Sequence, residues 1–277
     1  MKSLSRFVRQ GSLIFLCAAL IAIATPVSAA ATAMSPQVTS TYNATPSWAG
    51  FLANGKTFAK VQGDITVPTI TCTANGAESL FWVGFDGYNP INSAHNTVEQ
   101  DGVGAKCVGS TPSYFAWWEM YNPTNGTLHQ VASSTLLVKP GNRVAAIVSA
   151  ESVKGSNGKV QTEYLMQLDN TTTKQKTFAT EQPCYAGYTC SHTTAEWIAE
   201  RYNNGNNTYP LLAKWGYNSQ LFAYAEATTT TDSTLEPVSA FDSVSLNMLD
   251  SGDNFIADGQ PLNSGGTSFG VEWLASK

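Results

Sequence analysis

The sequence predicts an all-β fold, an antiparallel β-sandwich, on three observations. Short β-branched and aromatic runs recur between turn signals, and few windows keep helical spacing beyond two turns. Gly, Pro, Asn, Ser and Thr punctuate the chain throughout. No fixed internal repeat and no long linker divides it, so residues 47–277 are expected to form one domain.

The chain opens with Lys2, Arg6 and Arg9 ahead of an apolar run from Leu13 to Ala24, then the small residues Val27, Ser28 and Ala29. That pattern reads as a secretory signal peptide over residues 1–29, too short in its apolar part for the roughly 18 to 20 residues that span a bilayer. The mature protein is therefore expected to be secreted, with no membrane association once the signal is removed. Residues 30–46 (AATAMSPQVTSTYNATP) are small and polar and read as a short flexible lead-in.

The strand candidates follow in order: FAKVQGDITVP, SLFWVGFDGY, SYFAWWEMY, RVAAIVSAES, EYLMQLDN, LFAYAEATT and SFGVEWLA. Several alternate apolar with polar residues. In TEYLMQL, Tyr164 and Met166 share a face.

Charge is sparse, 13% of residues against about a quarter in an ordinary domain. Loss of the three signal-peptide cations takes the net charge from -5 to -8, which excludes a nucleic-acid or anionic-membrane partner. Few Lys and Arg also means little self-repulsion in acid. A monomer is the default.

Cys17 leaves with the signal, and Cys72, Cys107, Cys184 and Cys190 remain, an even number in an exported chain. Three pairings are open. Cys72 with Cys107 and Cys184 with Cys190 are favoured because each closes a loop bounded by turn formers. A zinc site is not expected, since no histidine stands at ligand spacing.

Two fragments near the C-terminus do not carry the chemistry they suggest. GTSFG at 266–270 matches G-x-S-x-G, yet His95, His129 and His192 all precede Ser268, whereas a nucleophile elbow needs its histidine later in the chain. LDSGDN, with Asp250, occurs once, and a single-chain paired-aspartate enzyme needs two such loops. Four N-x-[ST] triplets, at Asn43, Asn125, Asn170 and Asn206, are expected in a chain rich in Asn and Thr.

Three segments set polar groups among tryptophans, a costly combination unless those groups are hydrogen-bonded or used. They are FWVGFDGY; VEQDGV with YFAWWEMY; and TAEWIAE. On strands, Trp117, Glu119 and Tyr121 share one face, as do Glu196, Ile198 and Glu200. Thr193 to Glu196 also fits a helix capping box, so a short helix over AEWIAERY is open on pattern alone.

With SWAGFLANGKTFAKVQGDITVP at 47–68, these segments resemble, in order, the glutamic peptidases (eqolisins, peptidase family G1). The resemblance implies a lectin-like, concanavalin A-like jelly-roll sandwich, acid-acting endopeptidase activity on protein or peptide substrates, and no cofactor. It implies a catalytic pair of Gln100, from Q-x-G-V, and Glu196, from A-E-W-I, with Trp82, Asp86, Trp117, Glu119 and Tyr121 lining or supporting the cleft. Gly104 stands where fungal members carry an acid, and Asp101 supplies one nearby. The segment between Asp86 and Gln100 is long for the family.

Hydrolysis of a peptide needs a base for water, donors for the oxyanion and an acid for the leaving amine. One glutamate can serve as base and then acid, and a glutamine amide can donate to the oxyanion and hold the water. Two other readings stand beside this one. A glycoside hydrolase would pair Glu119 with Glu196, and a lectin-like binder would use the aromatics without catalysis.

Overall fold

The computed structural model describes residues 43–88, 97–124, 126–154, 158, 160–202 and 209–277. The expected signal peptide, residues 30–42 of the expected lead-in, most of the long segment after Asp86, and Asn125 and Asn206 lie outside the described residues.

The first strands are β1 (Asn43–Thr45), β2 (Trp48–Asn54), β3 (Phe58–Thr66), β4 (Ile70–Thr71), β5 (Glu78–Phe85) and β6 (Val98–Val108). Next come β7 (Thr111–Tyr121), β8 (His129–Val131), β9 (Arg143–Lys154), β10 (Val160–Asn170), β11 (Phe178–Pro183) and β12 (Ala195–Glu200). The last are β13 (Lys214–Trp215), β14 (Phe222–Thr229), β15 (Glu236–Pro237), β16 (Asp242–Leu249), β17 (Phe255–Gly259) and β18 (Val271–Trp273). A single 3₁₀ turn at Val238–Ala240 is the one helical element among the described residues.

Every expected strand segment forms a strand. The larger sheet runs β18-β17-β16-β2-β12-β5-β6-β7-β8, with β1 parallel to β16. The smaller runs β11-β10-β9-β3-β14-β15. Asn43–Thr45, inside the stretch expected to be flexible, is thus an ordered strand. The helical alternative for AEWIAERY falls, because Ala195–Glu200 pairs with β2 on one side and β5 on the other.

The two sheets pack face to face. Between them lies a core that includes Phe81, Val83, Phe85, Val103, Tyr164 and Trp197, and the Trp197 indole donates to the Gln62 carbonyl of the opposing sheet at 2.7 Å. A second apolar layer, including Leu52, Leu80, Trp82, Phe115, Trp117 and Ile198, covers the outer face of the larger sheet. Central β5 is consequently buried on both faces along its whole length, which is why its sequence, ESLFWVGF, reads as an apolar run more than as an alternation.

The disulfides are Cys72–Cys107 and Cys184–Cys190, the favoured pairing. Gly104 has a steric cause: a Cβ there would come within 2.6 Å of the Leu80 side chain and 2.7 Å of the Phe115 ring. The outer layer leaves no room for an acid at that position.

Candidate active site

Three neighbouring strands present polar groups through the outer apolar layer. On β6, alternation sends Gln100 outward and its neighbours Glu99 and Asp101 inward. On β7 the outward residues are Trp117, Glu119 and Tyr121, as expected, and Gln100 lies directly opposite Glu119. The Gln100 Nε2 donates to Glu119 Oε2 at 3.0 Å, and the Tyr202 hydroxyl donates to Glu119 Oε1 at 3.3 Å. On β12 the outward residues are Glu196, Ile198 and Glu200. The Trp82 indole, from β5, donates to Glu200 Oε2 at 2.7 Å.

A cavity of about 270 Å³ brings Gln100, Glu119 and Glu200 together. Tyr88, Val98, Tyr121 and Tyr202 give it apolar walls, and the segment Thr45–Trp48 forms another side.

Burial lifts the Glu119 carboxyl to about 8, with the Glu200 charge adding to the rise and the Tyr202 and Gln100 hydrogen bonds opposing it. Burial lifts Glu200 to about 7, and hydrogen bonds from the Trp48 and Trp82 indoles hold it from going higher. Both side chains keep their protons in acid.

Glu196 is placed elsewhere. It does not line this cavity; it is fully buried, and neither of its oxygens has a hydrogen-bond partner. Burial drives its carboxyl well above the ordinary range, an effect the nearby Thr194 side chain offsets only in part. In register Glu196 sits level with Gly84 and Gly84 with Gln100. A Cβ on Gly84 would come within 3.1 Å of the Trp82 ring and 2.9 Å of Gln100 Cβ. The indole thus occupies the row between Gln100 and Glu196. The sequence put Glu200 on the same face as Glu196; what singles it out is the pair of tryptophans aimed at it.

The remaining expected residues support the site from behind. Trp82 and Trp117 are completely buried in the outer layer. Asp86 is buried and adopts φ +63°. Its carboxylate accepts from the backbone N–H groups of His192 (2.6 Å) and Thr193 (2.9 Å) and from the Ser191 hydroxyl (2.9 Å). It therefore anchors the chain as it enters β12. The described residues contain no cluster of side chains suited to a metal ion.

The sequence profile of the Peptidase A4 family matches residues 46–266. Aspergillopepsin-2 of Aspergillus niger is 26% identical over 201 residues, covering 66% of this chain and 64% of that protein, so the match spans just under two thirds of the relative's length. Among solved structures, scytalido-glutamic peptidase with a transition state analog inhibitor superposes with TM-score 0.64 and 19% identity, covering 83% of this chain and 98% of the other. SCP-B, a member of the eqolisin family in complex with the tripeptide Ala-Ile-His, gives TM-score 0.60, 18% identity and the same coverage. These two likenesses show the shared β-sandwich fold. The extent of the profile match shows more: this chain belongs to the Peptidase A4 family, the glutamic peptidases or eqolisins that its motifs resemble.

Proposed function

We propose that this protein is an exported endopeptidase that cuts peptide bonds in acid by direct attack of water, with Gln100 and Glu200 as catalytic residues and Glu119 orienting Gln100. One observation carries the reading: a carboxamide and two buried carboxyls meet in a single aromatic-walled cavity, in a chain of this family. On this reading the carboxyl role expected at Glu196 from A-E-W-I falls to Glu200, because Glu200 lines the cavity with Gln100 and Glu196 does not.

With its folded pKa near 7, Glu200 begins the reaction in acid as the protonated form. Its proton passes to the peptide carbonyl oxygen while its other oxygen takes a proton from the attacking water, giving a neutral gem-diol. In the second half Glu200 protonates the amine nitrogen and takes a proton from a gem-diol hydroxyl as the C–N bond breaks. A free acid and a free amine leave, and Glu200 is restored. The order expected from sequence, base first and acid second, becomes one concerted exchange because the resting form already holds a proton. Gln100 spends one N–H on Glu119. Its second N–H is available to the oxygen that gains charge, and its Oε1, which has no protein partner, can accept from the water.

The test is digestion of denatured casein at about pH 3 to 4, with an inhibitor of paired-aspartate peptidases present. Wild type and Glu196→Gln are expected to cleave, whereas Gln100→Ala and Glu200→Gln, if folded, lose activity. Full cleavage by folded Glu200→Gln would overturn the assignment. The glycoside hydrolase reading pairs Glu119 with Glu196, which does not line the cavity, and no observation favours it.

A further inference from the structure

Arg201 follows Glu200 directly and is only 7% exposed. Burying a guanidinium is expensive unless its donors are satisfied, and among the described residues no Asp or Glu side chain lies within ion-pair distance of this one. Its hydrogen-bond partners are main-chain oxygens, and its Nε has none. Nη2 donates to the Pro46 carbonyl at 3.0 Å, Nη1 donates to the Lys277 carbonyl, and the guanidinium lies 4.7 Å from the centroid of the Tyr209 ring. Its backbone N–H donates to the Ser47 carbonyl at 2.9 Å. A planar fork of fixed donors suits this task, because it ties two remote chain segments to the residue that follows β12.

The segment so tied forms one side of the cavity: Thr45, Pro46, Ser47 and Trp48 all line it. It is stiff within itself, since Thr45 Oγ1 accepts from the Trp48 N–H at 2.7 Å and donates to the Trp48 carbonyl at 2.8 Å. Its far end is Trp48, whose ring meets Trp82 edge-on with centroids 5.0 Å apart. At about 270 Å³ the cavity stands at the small end of the roughly 300 to 1,000 Å³ of ligand sites. It is sized for a side chain of an extended peptide, and its walls are mainly aromatic and apolar.

We propose that Arg201 is a positioning residue that fixes the Thr45–Trp48 wall and so sets the width of a pocket, beside Glu200, that takes a bulky apolar side chain next to the bond cut. The proposal rests on the peptidase reading above. Arg201 acts through the wall and touches neither the substrate nor the reacting atoms. Discrimination between large and small side chains depends on how closely the wall can be held, because each lost contact costs binding that only the large side chain had gained.

The test uses two fluorescent peptides, identical except for Phe or Ala beside the cleaved bond. Turnover is measured on wild type, Arg201→Met and Arg201→Lys, and binding by polarisation on Glu200→Gln with and without Arg201→Met. The expected result is a Phe preference in wild type. In Arg201→Met, kcat/KM for the Phe peptide falls about tenfold, mostly through KM, and for the Ala peptide less than threefold. Arg201→Lys, which keeps the charge without the fork, falls between. If Arg201→Met fails to fold, Pro46→Gly loosens the same wall and is expected to lose the same preference.

Cleavage that depends on Glu200, with the Phe preference untouched in folded Arg201→Met and Pro46→Gly, overturns the clamp and leaves the peptidase reading standing. Binding preference that is present without cleavage, and lost with Arg201→Met, supports the clamp and overturns the peptidase reading. Equal losses on both peptides, or no preference in the parent protein, also overturn the clamp.

Discussion

The Trp82 indole donates to Glu200 Oε2 at 2.7 Å, joining residues 118 positions apart in the chain. Hydrogen bonds to a charged group contribute roughly 1.5 to 3 kcal/mol, and this one favours the anion. Trp82→Phe keeps most of the ring's packing and removes the donor. The Glu200 pKa then rises, and the alkaline limb of the pH–rate profile moves upward by about one unit. A limb that stays in place would mean that Glu200 does not govern it.

Glu196 and Glu200 share a strand face, but only Glu200 borders the cavity. In Glu200→Gln, kcat is expected to drop by about 10² to 10⁴, the scale of a lost proton shuttle. Glu196→Gln replaces an unpartnered buried carboxyl by a neutral side chain of equal shape and is expected to keep at least half of the activity. Steady-state kinetics on the two purified variants decides, and a reversed ranking would return the role to Glu196.

Glu99, Asp101 and Glu196 are completely buried carboxyls whose oxygens make no hydrogen bond of ordinary geometry, with only Thr97, the main chain at Ile147 and Gln167, and Thr194 near enough to offset part of the cost of burial. Desolvation is the main cause holding all three well above the ordinary range, with the Asp86 charge adding to it at Glu99 and Glu196. A raised folded-state pKa gives stability that is whole below the unfolded value of about 4 and is lost as pH rises through the folded value. The fold is therefore predicted to be most stable in acid. Its urea midpoint should drop by roughly 1 M or more between pH 4 and pH 8. Glu99→Gln with Asp101→Asn should remove much of that slope. An unchanged slope in the folded double variant would rule these two groups out as its source.

Cys72–Cys107 spans 35 positions and ends on β6, the strand that carries Gln100, whereas Cys184–Cys190 spans six. By loop entropy the first contributes about 4 kcal/mol and the second about 2 kcal/mol. Replacing Cys72 and Cys107 with Ala is expected to lower Tm more than replacing Cys184 and Cys190. Calorimetry at a fixed acid pH makes the comparison, and equal losses would contradict the loop-length account.

Much of this molecule is legible in its sequence. Turn residues bounding TEYLMQL, RVAAIVSAES and LFAYAEATT marked strands, because local periodicity and punctuation are properties of neighbouring residues. The grouping of Trp117, Glu119 and Tyr121 on one face was also readable, since side chains two apart on a strand point the same way. Strand period alone could not separate Glu196 from Glu200, which lie four apart on that same face.

The sequence by itself determined most of the strands and the faces on which their polar residues stand, which follow from short-range spacing, and it favoured one cysteine pairing among three without deciding it. Tertiary structure decided which glutamates border one cavity with Gln100, why position 104 is glycine, and that Arg201 ties the Thr45–Trp48 wall. Those outcomes depend on Trp82, Phe115 and Pro46 arriving from remote stretches of chain. Burial and hydrogen bonding are set by what packs against a side chain, and in an antiparallel sandwich those neighbours are far away in the sequence.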